Sequence, residues 1–260
     1  MRTAAVMLVA WGLFASVSAG SQSILDASLG ESGEKTSDIS TNALRVLLEE
    51  GAAVILDARP PKEFAVSHIP GALNVAPQPG RPAHLYVSDV AEVGRLLNGA
   101  KNRPIILYCN GPYCGKSKRL AAELVDGGYT NVRRYQLGAP GWRTLAGSAM
   151  QTELNALGYV RGDPTAVWID AREPTKAAAT RLPRTKNIPA SGLKPGKDQG
   201  VVKEAKDDGR LPMEDHNTRI VVFGGSAAEA LGVAERIAKN AFHNVMFCAD
   251  PYCKQQVAIR

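Results

Sequence analysis

One stretch of the chain occurs twice, and that duplication constrains the fold more than any other feature. Val54 to Phe64 reads VILDARPPKEF, and Val167 to Ala177 reads VWIDAREPTKA, 113 positions later. The same offset carries Ile69-Pro70 onto Leu182-Pro183, Asn74-Val75 onto Asn187-Ile188, and Asn131-Val132 onto Asn244-Val245. Arg103 to Tyr108 (RPIILY) matches Thr218 to Phe223 (TRIVVF) two positions further on. A repeat this long signals duplicated domains, because solenoid units are far shorter.

Each copy has the same order of expected elements. In the first, a helix from about Thr41 to Glu50 has Ser40 as a candidate N-cap and Gly51 as a stop. A buried strand, Ala53 to Asp57, follows, and Ile105 to Tyr108 is a second apolar, β-branched run. Ser117 to Asp126 carries helical apolar spacing at Leu120, Ala121 and Leu124 before Gly127-Gly128, and Val132 to Leu137 reads as a third strand. Apolar strands alternating with helices give the α/β class, with a mainly parallel sheet flanked by helices in each copy. Ligands of such sheets sit beyond the carboxyl ends of the strands, which places Cys109 at the active edge.

The flanks divide from this body. Arg2, the apolar run Ala4 to Phe14 and the small-x-small Val17-Ser18-Ala19 read as a cleaved secretory signal over residues 1–19. That predicts a secreted or periplasmic protein, with no membrane partner after cleavage. Residues 20–37 read as a flexible leader, 38–145 as the first domain and 146–260 as the second. Net charge is +6, but the basic residues are scattered singly, so no nucleic-acid partner is expected. A small anionic substrate is compatible with that surface. Leu193 to Leu211, rich in Lys, Asp and Gly, reads as an exposed excursion.

The order strand-DAR, HIPGALNV, ILYC-loop-helix and NVRRYQLG…GW, over most of Ser40 to Trp142, resembles the rhodanese (sulfurtransferase) family. A second, degenerate match runs from about Pro164 to Asp250, so the resemblance implies two tandem rhodanese-like domains. It also implies a Cys nucleophile that passes a sulfane sulfur, as a persulfide, from a small anionic donor to a thiol acceptor such as a protein thiol, or to cyanide. No cofactor is implied.

The residues support Cys109 independently of that likeness. A free thiol is mostly protonated at neutral pH, whereas the thiolate is the nucleophile. Successive backbone N–H groups leading into a helix N-terminus lower a thiol pKa and bind anions. Asn110, Gly111, Tyr113, Gly115, Lys116 and Ser117 form the expected anion-binding loop, with Ser117 placed to cap the helix or to bond the thiolate. The second copy has Gly224 at the nucleophile's place, so it is expected to be non-catalytic. From Cys109 to Ser117 is two positions longer than from Gly224 to Ala230, and Lys116 stands where the family has Arg. Lys does not bind a planar oxyanion as Arg does, and a phosphatase is disfavoured for the same reason.

Cys114 admits three readings: a thiol that resolves a modified Cys109, a stable disulfide that silences the site, or a bystander. Four cysteines allow three pairings; the local one, Cys109–Cys114 with Cys248–Cys253, asks least of the geometry. Cys248 and Cys253 then form a structural tie near the C-terminus. No metal site is expected, since neither pair has CxxC spacing and no His clusters with them. Asp57 and Arg59 recur as Asp170 and Arg172 in the copy without a nucleophile, so a supporting ion pair is favoured over a catalytic role. His68, replaced by Arg181 in the second copy, reads as a turn residue ahead of a general base, and Trp142 as packing. The leading expectation is an exported sulfurtransferase. Its alternatives are a non-catalytic binding module and a thiol–disulfide oxidoreductase using Cys109 and Cys114.

Overall fold

A computed structural model describes residues 23–31, 34–75, 88–180 and 182–258. The expected signal at 1–19 and Arg181 lie outside the described residues. The first half runs α1 (Thr41–Glu49), β1 (Val54–Asp57), α2 (Pro61–Val66), β2 (Leu73–Asn74), α3 (Val90–Leu96), β3 (Ile105–Tyr108), α4 (Gly115–Asp126), β4 (Val132–Tyr135) and α5 (Gly138–Thr144). The second continues with β5 (Met150–Thr152), α6 (Leu157–Arg161), β6 (Val167–Asp170), α7 (Pro174–Ala179), β7 (Thr185–Asn187), α8 (Gly200–Asp207), β8 (Ile220–Phe223), α9 (Ala227–Ala238), β9 (Val245–Cys248) and α10 (Cys253–Ala258).

Both sheets are parallel, in the orders β2-β1-β3-β4 and β5-β9-β8-β6-β7. Apart from β5 the second order matches the first strand for strand, so the duplicated sequence has a duplicated topology. The partner of β5 in the first half is the bridge Asp38–Arg134, where Ile39 donates to the Arg134 carbonyl at 2.8 Å and Arg134 to that of Ser37 at 3.0 Å.

The alternation of side chains along each strand assigns the core. On β3, Ile106 and Tyr108 face a central apolar cluster while Ile105 and Leu107 face an outer one with Leu120, Ala121 and Leu124 of α4. On β8, Val221 and Phe223 join the same central cluster, whereas Ile220 and Val222 pack outward with Val233, Ala234 and Ile237 of α9. The two sheets therefore share one core, and Trp142 and Trp168 are both buried within it. Burial matches Ser117, Leu120, Ala121 and Leu124 to Ala230, Val233, Ala234 and Ile237, the register of the repeat.

The repeated Asn-Val and Asn-Ile pairs have a mechanical explanation. Asn74 Nδ2 donates to the carbonyls of Asp57 (3.1 Å) and Arg59 (2.9 Å), and Asn187 Nδ2 does the same for Asp170 (2.8 Å) and Arg172 (2.9 Å). One amide thus ties the short edge strand to the turn after the central one. The glycine of the IPGA turn, Gly71, has φ +79°, and Arg184 keeps the same turn with φ +59°.

Three expectations are corrected. The segment expected as a flexible leader is laid against the first sheet in its described part. Lys35 pairs with Asp126 at 2.5 Å, Lys118 with Glu34, and Arg134, buried, reaches Glu34 at 3.4 Å. Residues 193–211 are an exposed excursion only in part: 194–199 are exposed, but Val201, Val202 and Ala205 of α8, with Leu211, are buried against the second sheet. Their outward face carries the Lys and Asp that made the segment look exposed. Finally, α4 begins at Gly115, so Ser117 lies inside the helix and is buried rather than capping it. Among the described residues no helix is long and apolar enough to cross a membrane.

Candidate functional site

Cys109 follows the last residue of β3 directly and is 2 % exposed. Its carbonyl accepts the Ala139 N–H at 3.0 Å, fixing the loop to the start of α5. The approach there is closer than any side chain permits. Gly138 has φ +62°, and a Cβ on it would lie 2.3 Å from the Cys109 carbonyl oxygen and 2.5 Å from the Gly111 nitrogen.

Cys109 is joined by a disulfide to Cys114, the residue at the N-cap position of α4, with the Cα atoms 6.1 Å apart. Between them the chain turns at Gly111 (φ +102°), whose carbonyl accepts the Cys114 N–H at 3.0 Å. Cys114 is partly exposed, Asn110 and Gly115 are exposed, Lys116 is half-buried, and the Tyr113 ring stands fully in solvent. Ser117, buried two residues into α4, neither caps the helix nor stands at the loop's surface. In the disulfide, neither sulfur is a free thiolate; nucleophilic chemistry at Cys109 requires reduction first.

Asn110 ties this loop to the cleft between the halves, donating from Nδ2 to Glu63 Oε2 of α2 at 2.5 Å. The cleft, about 590 Å³, is walled by Arg59, Lys62, Glu63 and Ser67 from the first half and by Tyr159 and Arg219 from the second. Lys62 Nζ lies 4.6 Å from the centre of the Tyr159 ring, and Arg219 pairs with Asp163 at 2.8 Å. Arg59 is held rigidly: Asp57 takes its N–H, Nε and Nη2 at 2.6–3.0 Å, and the Ser67 carbonyl takes Nη2 at 2.6 Å. Burial disfavours the charged guanidinium, but the hydrogen bonds and charge of Asp57 outweigh it and hold Arg59 above its ordinary pKa. Beneath the pair, burial and then the Asp57 charge push the Tyr108 hydroxyl well up, so it stays protonated; its oxygen accepts the Ile69 N–H at 3.1 Å. Asp57–Arg59 and Asp170–Arg172 have the same geometry, that of a turn brace.

His68 closes the other side of α2. Its ring is buried and stacked on Phe64 with centroids 3.9 Å apart. Nδ1 donates to the Phe64 carbonyl at 2.9 Å, and its backbone exchanges two hydrogen bonds with Gln151 of β5 (2.9 and 2.8 Å). It is a junction residue between the halves.

The second copy answers the question posed by Gly224. Ser226 caps α9 by accepting the Glu229 N–H at 3.2 Å, and Glu229 Oε2 accepts the Gly225 N–H at 2.7 Å. A carboxylate of the chain itself thus takes up an amide of this loop. The signal was present in the sequence as the Ser-Ala-Ala-Glu of a capping box.

Cys248 and Cys253 are disulfide-bonded with Cα atoms 6.2 Å apart, both buried in the shared core. Sequence reasoning missed their kinship with the first pair: CNGPYC and CADPYC share Cys-x-x-Pro-Tyr-Cys. The turn is shared too, for the Asp250 carbonyl accepts the Cys253 N–H at 3.1 Å as Gly111 does for Cys114. Because the second hexapeptide follows β9 rather than β8, it lies outside the register of the repeat. Among the described residues no group of three or more His, Cys, Asp or Glu is arranged to hold a metal ion.

Comparison with known proteins gives one curated relative, the HTH-type transcriptional regulator Rv0324 of Mycobacterium tuberculosis (strain ATCC 25618 / H37Rv). It is 32 % identical over 99 residues, covering 38 % of this chain and 38 % of its own length. Among solved structures, the 3-mercaptopyruvate sulfotransferase SseA from Escherichia coli matches at 17 % identity and TM-score 0.33, over 80 % of this chain and 95 % of its own. Thiosulfate sulfurtransferase from Pseudomonas aeruginosa matches at 21 % and 0.35, over 82 % of this chain and 43 % of its own. The family model described as Rhodanese-like domain matches residues 40–145. That span begins at the cap of α1 and closes just beyond α5, so it holds the first sheet, its helices and the Cys109 loop. Residues 40–145 of this chain are a Rhodanese-like domain.

Proposed function

We propose that the chain is a sulfurtransferase in which Cys109 carries sulfane sulfur as a persulfide between a small anionic donor and a thiol acceptor. The observation that carries this reading is the position of Cys109, directly after β3 at the carboxyl edge of the Rhodanese-like domain and before the twelve-residue helix α4. The dipole of that helix favours an anionic sulfur at its N-terminal end. Gly138, packed against the Cys109 carbonyl, keeps the loop in place. In the adjoining cleft Lys62 supplies the cation that favours an anionic donor, Arg59 and Arg219 being paired with Asp57 and Asp163. The second half, with Gly224 at the corresponding position and Glu229 against its loop, acts as the far wall. Export is part of the same proposal, since disulfides such as Cys109–Cys114 persist in oxidising compartments.

The test is direct. Reduced protein is mixed with thiosulfate, and sulfite release is followed together with the mass of the Cys109 peptide. The expected result is sulfite and a gain of one sulfur atom at Cys109, both abolished in C109S. No added sulfur on reduced Cys109 counts decisively against the reading. The Cys109–Cys114 disulfide favours a second reading, thiol–disulfide oxidoreduction. Reversible oxidation of the pair with no sulfur carried would distinguish it, and a disulfide that resists mild reductant would point to a non-catalytic binding module.

A further inference from the structure

The two Cys-x-x-Pro-Tyr-Cys disulfides share a turn but not an environment. Cys248 and Cys253 are 2 % and 1 % exposed within the shared core. In the other pair Cys109 is buried while Cys114 is partly exposed beside the fully exposed Tyr113. A disulfide is opened by attack on whichever sulfur an outside thiolate can reach. For Cys109–Cys114 the more exposed residue is Cys114, and attack there leaves Cys109, the proposed sulfur carrier, as the departing thiolate.

The same geometry operates in the other direction. Because the two residues are close enough to be bonded, a Cys114 thiol reaches the Cys109 sulfur itself, which is the inner atom of any persulfide formed there. We infer that Cys114 is the residue that ends the sulfur-transfer cycle, expelling the carried sulfur as hydrosulfide and closing the disulfide, which a dithiol then reopens through Cys114. This rests on the reading that Cys109 carries sulfur.

Each step balances. Cys109–S⁻ attacks the outer sulfur of thiosulfate, giving Cys109–S–S⁻ and sulfite as the sulfur–sulfur bond of the donor breaks. The Cys114 thiol attacks the inner sulfur; Cys109–S–S–Cys114 forms, the persulfide bond breaks, and the thiol proton leaves with the outer sulfur as HS⁻. A protein or small-molecule dithiol then reduces the disulfide and is itself oxidised to a disulfide. When no acceptor takes the sulfur, the co-substrate that restarts the cycle is therefore a dithiol. Holding the attacking thiol on the same six-residue loop makes the second step intramolecular.

The full chain, reduced with a dithiol and then freed of it, is mixed with one equivalent of thiosulfate and no acceptor. Sulfite, sulfide and the Cys109 peptide are followed together. Wild type is expected to release sulfite and then one equivalent of sulfide as the disulfide re-forms. C114S and C114A are expected to stop at the persulfide, with sulfide release slower by roughly tenfold or more. Using both replacements separates a folding defect peculiar to one of them from the chemistry. A wild-type persulfide as long-lived as that of the Cys114 variants overturns the inference and leaves the sulfur-carrier reading standing. Absence of sulfite and of added sulfur in every protein overturns both. Alkylation during a dithiol titration is expected to label Cys114 and Cys109 well before Cys248 and Cys253; simultaneous opening of the two pairs refutes the proposed entry through Cys114.

Discussion

Gly138 and Cys109 approach so closely that a Cβ on the glycine would sit 2.3 Å from the cysteine's carbonyl oxygen. The chain after β4 is thereby pressed against the loop after β3, and Ala139 holds it there through its N–H. The close contact involves backbone on both sides, so it cannot be relieved by rotating a side chain.

G138A is expected to lower stability by more than the roughly 1–2 kcal/mol that a left-handed backbone alone costs a non-glycine residue. It should also abolish sulfur loading of Cys109, because the loop must move to make room. Urea denaturation and the thiosulfate assay together check this; a variant with normal loading at normal stability contradicts the clamp.

The Asp57–Arg59 brace gives a second expectation. Both side chains are at least 95 % buried, and the Arg59 guanidinium donates to Asp57 and to the Ser67 carbonyl. Removing one member of a buried pair leaves the other charge uncompensated, at a cost of about 3–5 kcal/mol. D57A is expected to lose that much in chemical denaturation. D170A is expected to lose a similar amount, because Arg172 keeps one further acceptor, Thr180 at 2.9 Å, just as Arg59 keeps the Ser67 carbonyl.

Both braces were legible because the repeat displayed them twice, and a pair retained where the nucleophile is absent has to be structural. The strand ends were also legible: four-residue apolar runs bounded by Pro and by the reactive loop leave little freedom for β3, which spans Ile105–Tyr108 as expected. Composition misled at 200–211. There three buried positions on α8, Val201, Val202 and Ala205, are outnumbered by the charged residues covering their other face. The docked leader was hidden for a related reason, since Glu34, Lys35 and Ser37 bind through charges and backbone rather than apolar side chains.

At the site, the position of Cys109 was readable from strand and loop, whereas the role of Ser117 was not. A serine after such a loop caps a helix only if the helix starts there; the longer loop of this copy ends in Cys114, and the helix begins before Ser117. The contact of Gly138 with Cys109 joins residues 29 positions apart and leaves no local pattern. The second Cys-x-x-Pro-Tyr-Cys was visible in the letters but fell outside the repeat's register, so comparison of the two copies passed over it.

The buried pair Cys248–Cys253 supplies a third prediction. Closing a loop of this length stabilises a chain by about 2 kcal/mol through the unfolded state. C248A/C253A is expected to lose at least that, because the pair also packs within the core shared by both sheets. Sulfur loading of Cys109 at low denaturant should be retained. A double variant as stable as wild type would show that the bond adds nothing to the fold.

His68 makes the junction between the halves sensitive to pH. Burial lowers its pKa below the ordinary 6.5, against the opposing effects of the Phe64 carbonyl and the Glu153 carboxylate, whose Oε1 is 3.4 Å from Nε2. For a base whose folded pKa is depressed, the unfolded chain takes up the proton first as pH falls. Its full stabilising contribution is therefore present above about pH 6.5 and declines as pH drops from there through the lower folded value. Urea midpoints for wild type are expected to fall between pH 7.5 and 5.5, whereas H68N, which can keep a donor toward the Phe64 carbonyl without a titrating ring, should flatten this part of the profile. E153Q should steepen it, since the neighbouring charge that favours the imidazolium is gone. The same slope in wild type and H68N would assign the pH dependence to other groups and leave His68 as packing alone.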